Sequence, residues 1–158
     1  NPQGLYFDDE NNFILSTEHG PKGGDEINLI EVDQINANKI LNYGWPISSY
    51  GEHYVDSEEK YKKYPLHKSH SEYGFIEPLT YFTPSIGISE IVKIRKNKYV
   101  ASSLKYKSLY FFEIDNKKNI INLNKTEVFE RVRDLKFYDN KLYLFMENTA
   151  SIGIISLN

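Results

Sequence analysis

Glu90-Ile-Val-Lys-Ile94, Lys98-Tyr-Val-Ala-Ser102 and Ser108-Leu-Tyr-Phe-Phe-Glu-Ile114 follow one another with only Lys96-Asn97 and a short polar segment between them. Each is rich in β-branched and aromatic residues and too short for a globular helix, so each reads as a strand. The pattern continues downstream through Lys125-Thr-Glu-Val-Phe129, Leu135-Lys-Phe-Tyr138, Lys141-Leu-Tyr-Leu-Phe145 and Ser151-Ile-Gly-Ile-Ile155, with turn signals at Asp115-Asn116 and Asp139-Asn140. Short strands at this spacing, almost without helical periodicity, indicate an antiparallel all-β fold: a sandwich, a barrel or propeller blades. A four-stranded blade recurs about every 40–45 residues, and the segment from Leu79 to Asp139 can be cut at that period. Upstream, Leu5-Tyr-Phe7 and Phe13-Ile-Leu-Ser-Thr17 flank the polar cluster Asp8–Asn12 and read as a hairpin. Glu26–Val32 reads as a half-buried strand, with a bulge expected where its alternation slips at Leu29-Ile30.

Between these strand regions lies a different texture. His19-Gly-Pro-Lys-Gly-Gly-Asp-Glu-Ile-Asn28 packs three glycines, a proline and two adjacent carboxylates into ten residues, and Asn42-Tyr-Gly-Trp-Pro46 follows after a short insert. Such a run favours a tight loop. On composition it reads as a polar turn between strands; the alternative is a loop whose carbonyls and the acids Asp25 and Glu26 offer the hard oxygens that calcium prefers. Residues 47–78 are poor in apolar runs and read as a long loop insertion with one helical turn near Ser57–Lys63. The spacing of His67 and His70 suits zinc on a helix, but Pro65 and the lack of a third fixed ligand predict solvent-exposed histidines, His53 included.

The 158 residues suffice for one domain with a real core, and 40% hydrophobic with 26% charged content is ordinary for a globular chain. A net charge of -3 with interleaved signs argues against nucleic acid or a polybasic membrane patch. The absence of Cys excludes disulfides, thiolate metal sites and a cysteine nucleophile. No apolar run approaches the ~20 residues of a membrane span. The opening on Asn1-Pro2 reads as a processed or truncated piece.

Asn1-Pro-Gln-Gly-Leu5, Glu18-His-Gly-Pro21, Asp25-Glu-Ile-Asn28 and Asn42-Tyr-Gly-Trp-Pro46, in this order, resemble the signature run of the soluble quinoprotein sugar (glucose/sorbosone, aldose) dehydrogenases. Glu77-Pro78, Thr83-Pro-Ser85, Ser103-Leu-Lys105 and Arg131-Val-Arg-Asp134 extend the resemblance over nearly the whole chain. It implies a six-bladed β-propeller in the full-length family, of which this chain would be the C-terminal part, about three to four blades forming one portion of a single domain over 1–158. It also implies pyrroloquinoline quinone (PQQ) and calcium as cofactors. By this likeness Asn1, Gln3, Ser85, Lys105, Arg131 and Arg133 contact the quinone, Thr83 replacing a tryptophan of the family. Arg131 and Arg133 alternate about Val132, so a strand would point both guanidinium groups to one face, where they can pair with carboxylates. Backbone oxygens of Gly20 and Pro21 would hold the calcium that touches the quinone. Asp25, Glu26, Tyr43, Ser49 and Glu77 fall near a second, structural calcium cluster, and His19 would stand behind the ligands.

No residue matches the family's catalytic histidine base, which is expected upstream, so the piece is expected to be inactive alone. The implied activity of the parent is oxidation of an aldose at its anomeric carbon to the lactone, with hydride transfer to PQQ and electrons passed to an external acceptor, in a periplasmic or secreted protein. The alternative is a non-enzymatic, calcium-stabilised propeller that binds a protein or glycan. An incomplete ring would also expose strand edges through which two copies could self-associate.

Overall fold

The computed structural model describes residues 1–55 and 57–157. Eleven strands form three antiparallel sheets, each a meander in chain order. The first holds β1 (Pro2–Asp8), β2 (Phe13–Glu18), β3 (Asp25–Glu31) and β4 (Thr80–Phe82). The second holds β5 (Ile88–Arg95), β6 (Lys98–Ser103), β7 (Ser108–Ile114) and β8 (Ile120–Glu127). The third holds β9 (Val132–Tyr138), β10 (Lys141–Met146) and β11 (Ser151–Ser156). These are successive blades of a propeller. The leading strands β1, β5 and β9 adjoin one another across the blades, and the outermost strand β8 is exposed along most of its length.

The middle blade explains why its strands lack simple apolar/polar alternation. It is covered on both faces, so side chains of either parity are buried. Tyr99, Ala101, Tyr110, Phe112 and Ile114 pack with Phe13, Leu15 and Ile27 of the first blade. Val92, Val100 and Leu109 pack instead with Val132, Leu135, Leu142 and Leu144 of the third. A second tie between the first two blades is ionic: Asp8, fully buried, accepts from Lys93 at 2.9 Å, from Tyr99 at 2.5 Å and from Asn11 at 3.0 and 3.1 Å.

Several sequence expectations need correction. The β2–β3 ladder runs unbroken from Phe13↔Glu31 to Glu18↔Glu26, so there is no bulge at Leu29-Ile30. Leu29 faces the inter-blade core while Ile30 is only half-buried on the other side; both positions fit one regular strand. The strand expected at Lys125–Phe129 begins earlier, at Ile120, because it is an exposed edge whose asparagines are set by solvent rather than by a core; Asn122 even takes a positive φ. The connection from β3 to β4 contains the 47–78 stretch and more: α1 (Val32–Asn36), α2 (Glu58–Lys63) and a single 3-10 turn at Ser71–Tyr73. Ser57 caps α2, its hydroxyl accepting from the Lys60 amide.

His70 departs most from expectation. It is 1% exposed, stacked on Tyr50 with ring centroids 5.3 Å apart, and Tyr50 stacks in turn on Tyr81. His67 stacks on Tyr73 and, like His53, is half-buried. Aromatic neighbours brought in by the long connection cover all three rings.

Candidate functional site

The strand directions decide where the loops fall. β1, β5 and β9 start at one end of the blades, and β2, β6 and β10 finish there. Asn1, Gln3, the Gly20–Glu26 loop, Ser85, Lys105, Arg131 and Arg133 therefore all collect at that end. Backbone contacts brace these loops within the first and second blades, and the succession of blades sets the loops along an arc. Gly24 donates to the Phe82 carbonyl, Leu104 and Lys105 donate to Gly87 and Ile86, and Val128 and Phe129 both donate to Lys107. The long connection reaches the same end through residues 48–52, where Lys22 and Glu52 exchange both backbone hydrogen bonds at 2.8 and 3.0 Å. Gly24 makes this approach feasible: φ is +69°, and a Cβ there would lie 2.2 Å from the Gly51 nitrogen.

The acids expected to share one metal are divided between two kinds of environment. Asp25 is buried, and its carboxylate accepts from Ser85 Oγ at 2.7 Å, from the Ile88 amide at 3.1 Å and from the Gly20 amide at 3.3 Å. The Ser85 hydroxyl, expected to serve the cofactor, thus gives its proton to Asp25. Glu77 accepts from Tyr50 OH and from the amides of His70 and Ser71, each at 2.8 Å, with the Ser71 hydroxyl at 3.0 Å. Burial pushes its pKa up, but the Ser71 and Tyr50 donors outweigh that and hold it below the usual carboxylate range. Pro21 offers its carbonyl to Tyr54 OH at 2.5 Å.

Glu26, Tyr43, Ser49 and Gly20 behave differently. They line one small cavity of about 50 Å³ together with Asn1, Glu18, His19, Gly24, Trp45 and Ser48. Glu18 and Glu26 sit directly opposite each other across β2 and β3, and like charges in that register repel. Burial, with further repulsion from Glu18 and Glu77, pushes the Glu26 carboxyl up to about 7. Asn28 donates weakly to both acids, at 3.4 Å each, and its own Oδ1 is buried without a partner. The His70 Nε2 lies 3.5 Å from Glu26 Oε1, short of a well-formed hydrogen bond. Among the described residues no three His, Cys, Asp or Glu side chains converge to hold a metal ion. Two carboxylates with the oxygens of Gly20, Tyr43 and Ser49 around one cavity nevertheless suit a hard cation, which would relieve the Glu18–Glu26 repulsion. Asp25 and Glu77 already accept hydrogen bonds from protein donors.

Glu18 and Asn28 were not singled out as site residues. The signal was available: in a regular hairpin the 16, 18 and 26, 28 positions share a face, and that face is polar yet covered. His19, at the end of β2, reaches across to the next blade, donating from Nε2 to the Ile88 carbonyl at 2.6 Å.

The cationic residues lie farther along the arc. Lys105 is exposed, its Nζ 5.6 Å from the Tyr106 ring centroid, and among the described residues it has no ion pair. Arg131 and Arg133 do point to one face, as their alternation about the buried Val132 requires, and both reach the same carboxylate. That carboxylate is Glu147, with Oε1 3.4 Å from Arg131 Nε and Oε2 2.5 Å from Arg133 Nη2. Two guanidinium groups already gathered on a carboxylate suit an anionic ligand. Gln3 is exposed and donates to the Pro2 carbonyl at 3.0 Å. Clefts of about 460 and 520 Å³ open toward the opposite strand ends, beside Asn97 and Asp115 and beside Lys93 and Phe137. They hold none of the expected site residues. No helix among the described residues is long and apolar enough to cross a membrane.

Comparison with known proteins bears on the family and the fold. The Glucose / Sorbosone dehydrogenase family profile matches residues 1–154. Aldose sugar dehydrogenase YliI of Escherichia coli is 32% identical over 99 residues, 63% of this chain and 24% of that protein. A crystal structure of a glucose dehydrogenase superposes with a TM-score of 0.78 at 25% identity, over 100% of this chain and 44% of that one. The PQQ-bound aldose sugar dehydrogenase of Streptomyces coelicolor shares the fold, with a TM-score of 0.65 at 22% identity over 96% of this chain and 38% of that one. The chain thus spans less than half the length of each of these proteins. On the profile match over nearly its full length, with the loops of three propeller blades gathered at one end, this chain belongs to the glucose/sorbosone dehydrogenase family.

Proposed function

We propose that the chain supplies part of the cofactor pocket of a PQQ-dependent aldose dehydrogenase, a protein of the periplasm or of the secreted fraction. The observation that carries this reading is the convergence of Arg131 and Arg133 on one carboxylate, at the strand ends where Lys105, Asn1 and Gln3 also lie. A planar tricarboxylate needs fixed cations at its rim, and fixed charge is most effective where the protein has already oriented it. Arg131 and Arg133 would bind two ligand oxygens from one side, and Lys105 would act as an unpaired point charge from the neighbouring loop. Ser85 would orient the loop rather than donate to the quinone: its hydroxyl donates to Asp25 and ties the β4–β5 loop to the start of β3. The cavity of Glu26, Glu18, Gly20, Tyr43 and Ser49 would hold calcium, and the ordered Gly20–Asp25 loop would carry that order to the quinone side.

PQQ, when bound, would supply the hydride-acceptor chemistry for oxidation of an aldose at its anomeric carbon to the lactone, with an external acceptor as the final electron sink. The residues named here bind, orient and charge-balance. None is assigned the proton-accepting role, and the segment alone is proposed to be inactive. Calorimetric titration with PQQ, with and without calcium, tests the reading. Saturable binding lost on Arg133→Ala supports it; calcium-dependent stabilisation without PQQ binding favours instead a calcium-stabilised propeller that binds a protein or glycan, the Glu18–Glu26 pair being the observation that keeps this second reading in play.

A further inference from the structure

Glu147 has no role in the reading above, yet it is the residue that both arginines hold. It follows β10 directly, and its amide donates to the Arg131 carbonyl at 2.8 Å, which places its side chain beside the two guanidinium groups. The turn is pinned from the other side, where the Asn148 amide donates to Glu130 Oε1 at 3.3 Å. The two carboxylate oxygens are divided, one to each arginine. All three side chains are part-exposed, at 35%, 51% and 36% for Arg131, Arg133 and Glu147.

Two consequences follow from elementary electrostatics. Without an anion between them, two neighbouring guanidinium groups repel and spread; a bridging carboxylate keeps them converged. The same carboxylate occupies the N–H groups that a ligand carboxylate would use, and it cancels one of the two positive charges. Ion pairs this exposed contribute little, so a multivalent anion can displace Glu147 readily.

We infer that Glu147 is a built-in stand-in for a ligand carboxylate: it holds Arg131 and Arg133 in position for a polycarboxylate and is displaced when one binds. It is a positioning residue that also sets affinity. The inference rests on the polycarboxylate part of the functional reading, and two probes separate it from the PQQ part. The chain, its Glu147→Gln and Glu147→Asp variants, and Arg133→Ala would each be titrated with PQQ and with benzene-1,2,4-tricarboxylate, with circular dichroism and thermal midpoints as folding checks.

Glutamine keeps one acceptor oxygen for the arginines, puts a donor NH2 in place of the other, and carries no charge. Glu147→Gln should therefore bind the tricarboxylate about two- to fivefold more tightly than wild type, the size of one lost surface charge interaction, and with steeper salt dependence. Glu147→Asp, which keeps the charge, should bind like wild type, and Arg133→Ala should lose binding. Tightening for the simple tricarboxylate with no PQQ binding would retain this inference and remove the quinone reading. Equal or weaker binding of both probes by a folded Glu147→Gln variant would overturn the inference while leaving PQQ binding by wild type to be judged separately.

Discussion

Replacing Glu26 by Gln should make the chelator-treated protein more stable above neutral pH, although the change removes a buried and carefully placed acid. Glu26 lies 8% exposed opposite Glu18, and its carboxyl is pushed from an ordinary 4.5 to about 7, chiefly by burial. A group whose folded-state pKa is raised binds its proton more tightly folded than unfolded. Stability from this group is then fully present below about pH 4.5, falls as pH rises through 4.5 to 7, and is flat above. A shift of this size corresponds to about 3 kcal/mol, at ~1.4 kcal/mol per pH unit. Glutamine has no proton to lose, so its stability curve lacks that descent. Urea unfolding in EDTA at pH 4, 5.5, 7 and 8 should show near-equal stability at pH 4 and a variant more stable by up to about 3 kcal/mol at pH 8. Saturating calcium should reverse the order at pH 8, since a cation at Glu18 and Glu26 offsets the repulsion in wild type and loses one of its two acids in the variant. Parallel pH profiles for the two proteins in EDTA would refute the argument, because they would mean that Glu26 is already ionised without penalty.

Other perturbations probe the scaffold. Asp8→Ala strands Lys93 and the Tyr99 hydroxyl between the first two blades and should cost about 3–5 kcal/mol in denaturant unfolding, the range for breaking a buried pair. The native Asp8 carboxyl is held below its usual value, the Tyr99, Asn11 and Lys93 bonds outweighing an upward push from burial; its contribution should accordingly be present above about pH 4 and fade as pH falls below it. Gly24→Ala places a methyl 2.2 Å from the Gly51 nitrogen at φ +69° and should lower the thermal midpoint by an amount equivalent to at least about 1–3 kcal/mol. The same change should raise protease sensitivity around residues 48–52, which lose their seat on the Gly20–Asp25 loop.

Strand positions were the most legible part of the sequence. β7 has the bounds its residues suggested, because Leu109, Tyr110, Phe111, Phe112 and Ile114 each pack into a core on one face or the other. β8 was misplaced for the opposite reason: an exposed edge receives no instruction from a core. His70 could not be read correctly, since nothing local reveals that Tyr50, twenty residues upstream, will cover it. At the site, residue types were legible and their allocation was not. Asp25, Glu26 and Glu77 look alike in sequence, but a serine and backbone amides reached Asp25 and Glu77, whereas Glu26 was left facing another acid. The pairing of Arg131 with Arg133 followed from strand alternation alone. Glu147 did not, because its place beside them depends on the β9–β10 hairpin register.

We propose that this end of the blades forms a pocket for a planar tricarboxylate quinone beside a calcium site. Its most direct test is a calorimetric titration of the chain with PQQ, with and without calcium, repeated on a Lys105→Ala, Arg131→Ala double variant that is shown to be folded. The account predicts saturable binding that calcium strengthens and the double variant loses. Calcium-independent binding, or binding that the double variant retains, would contradict it.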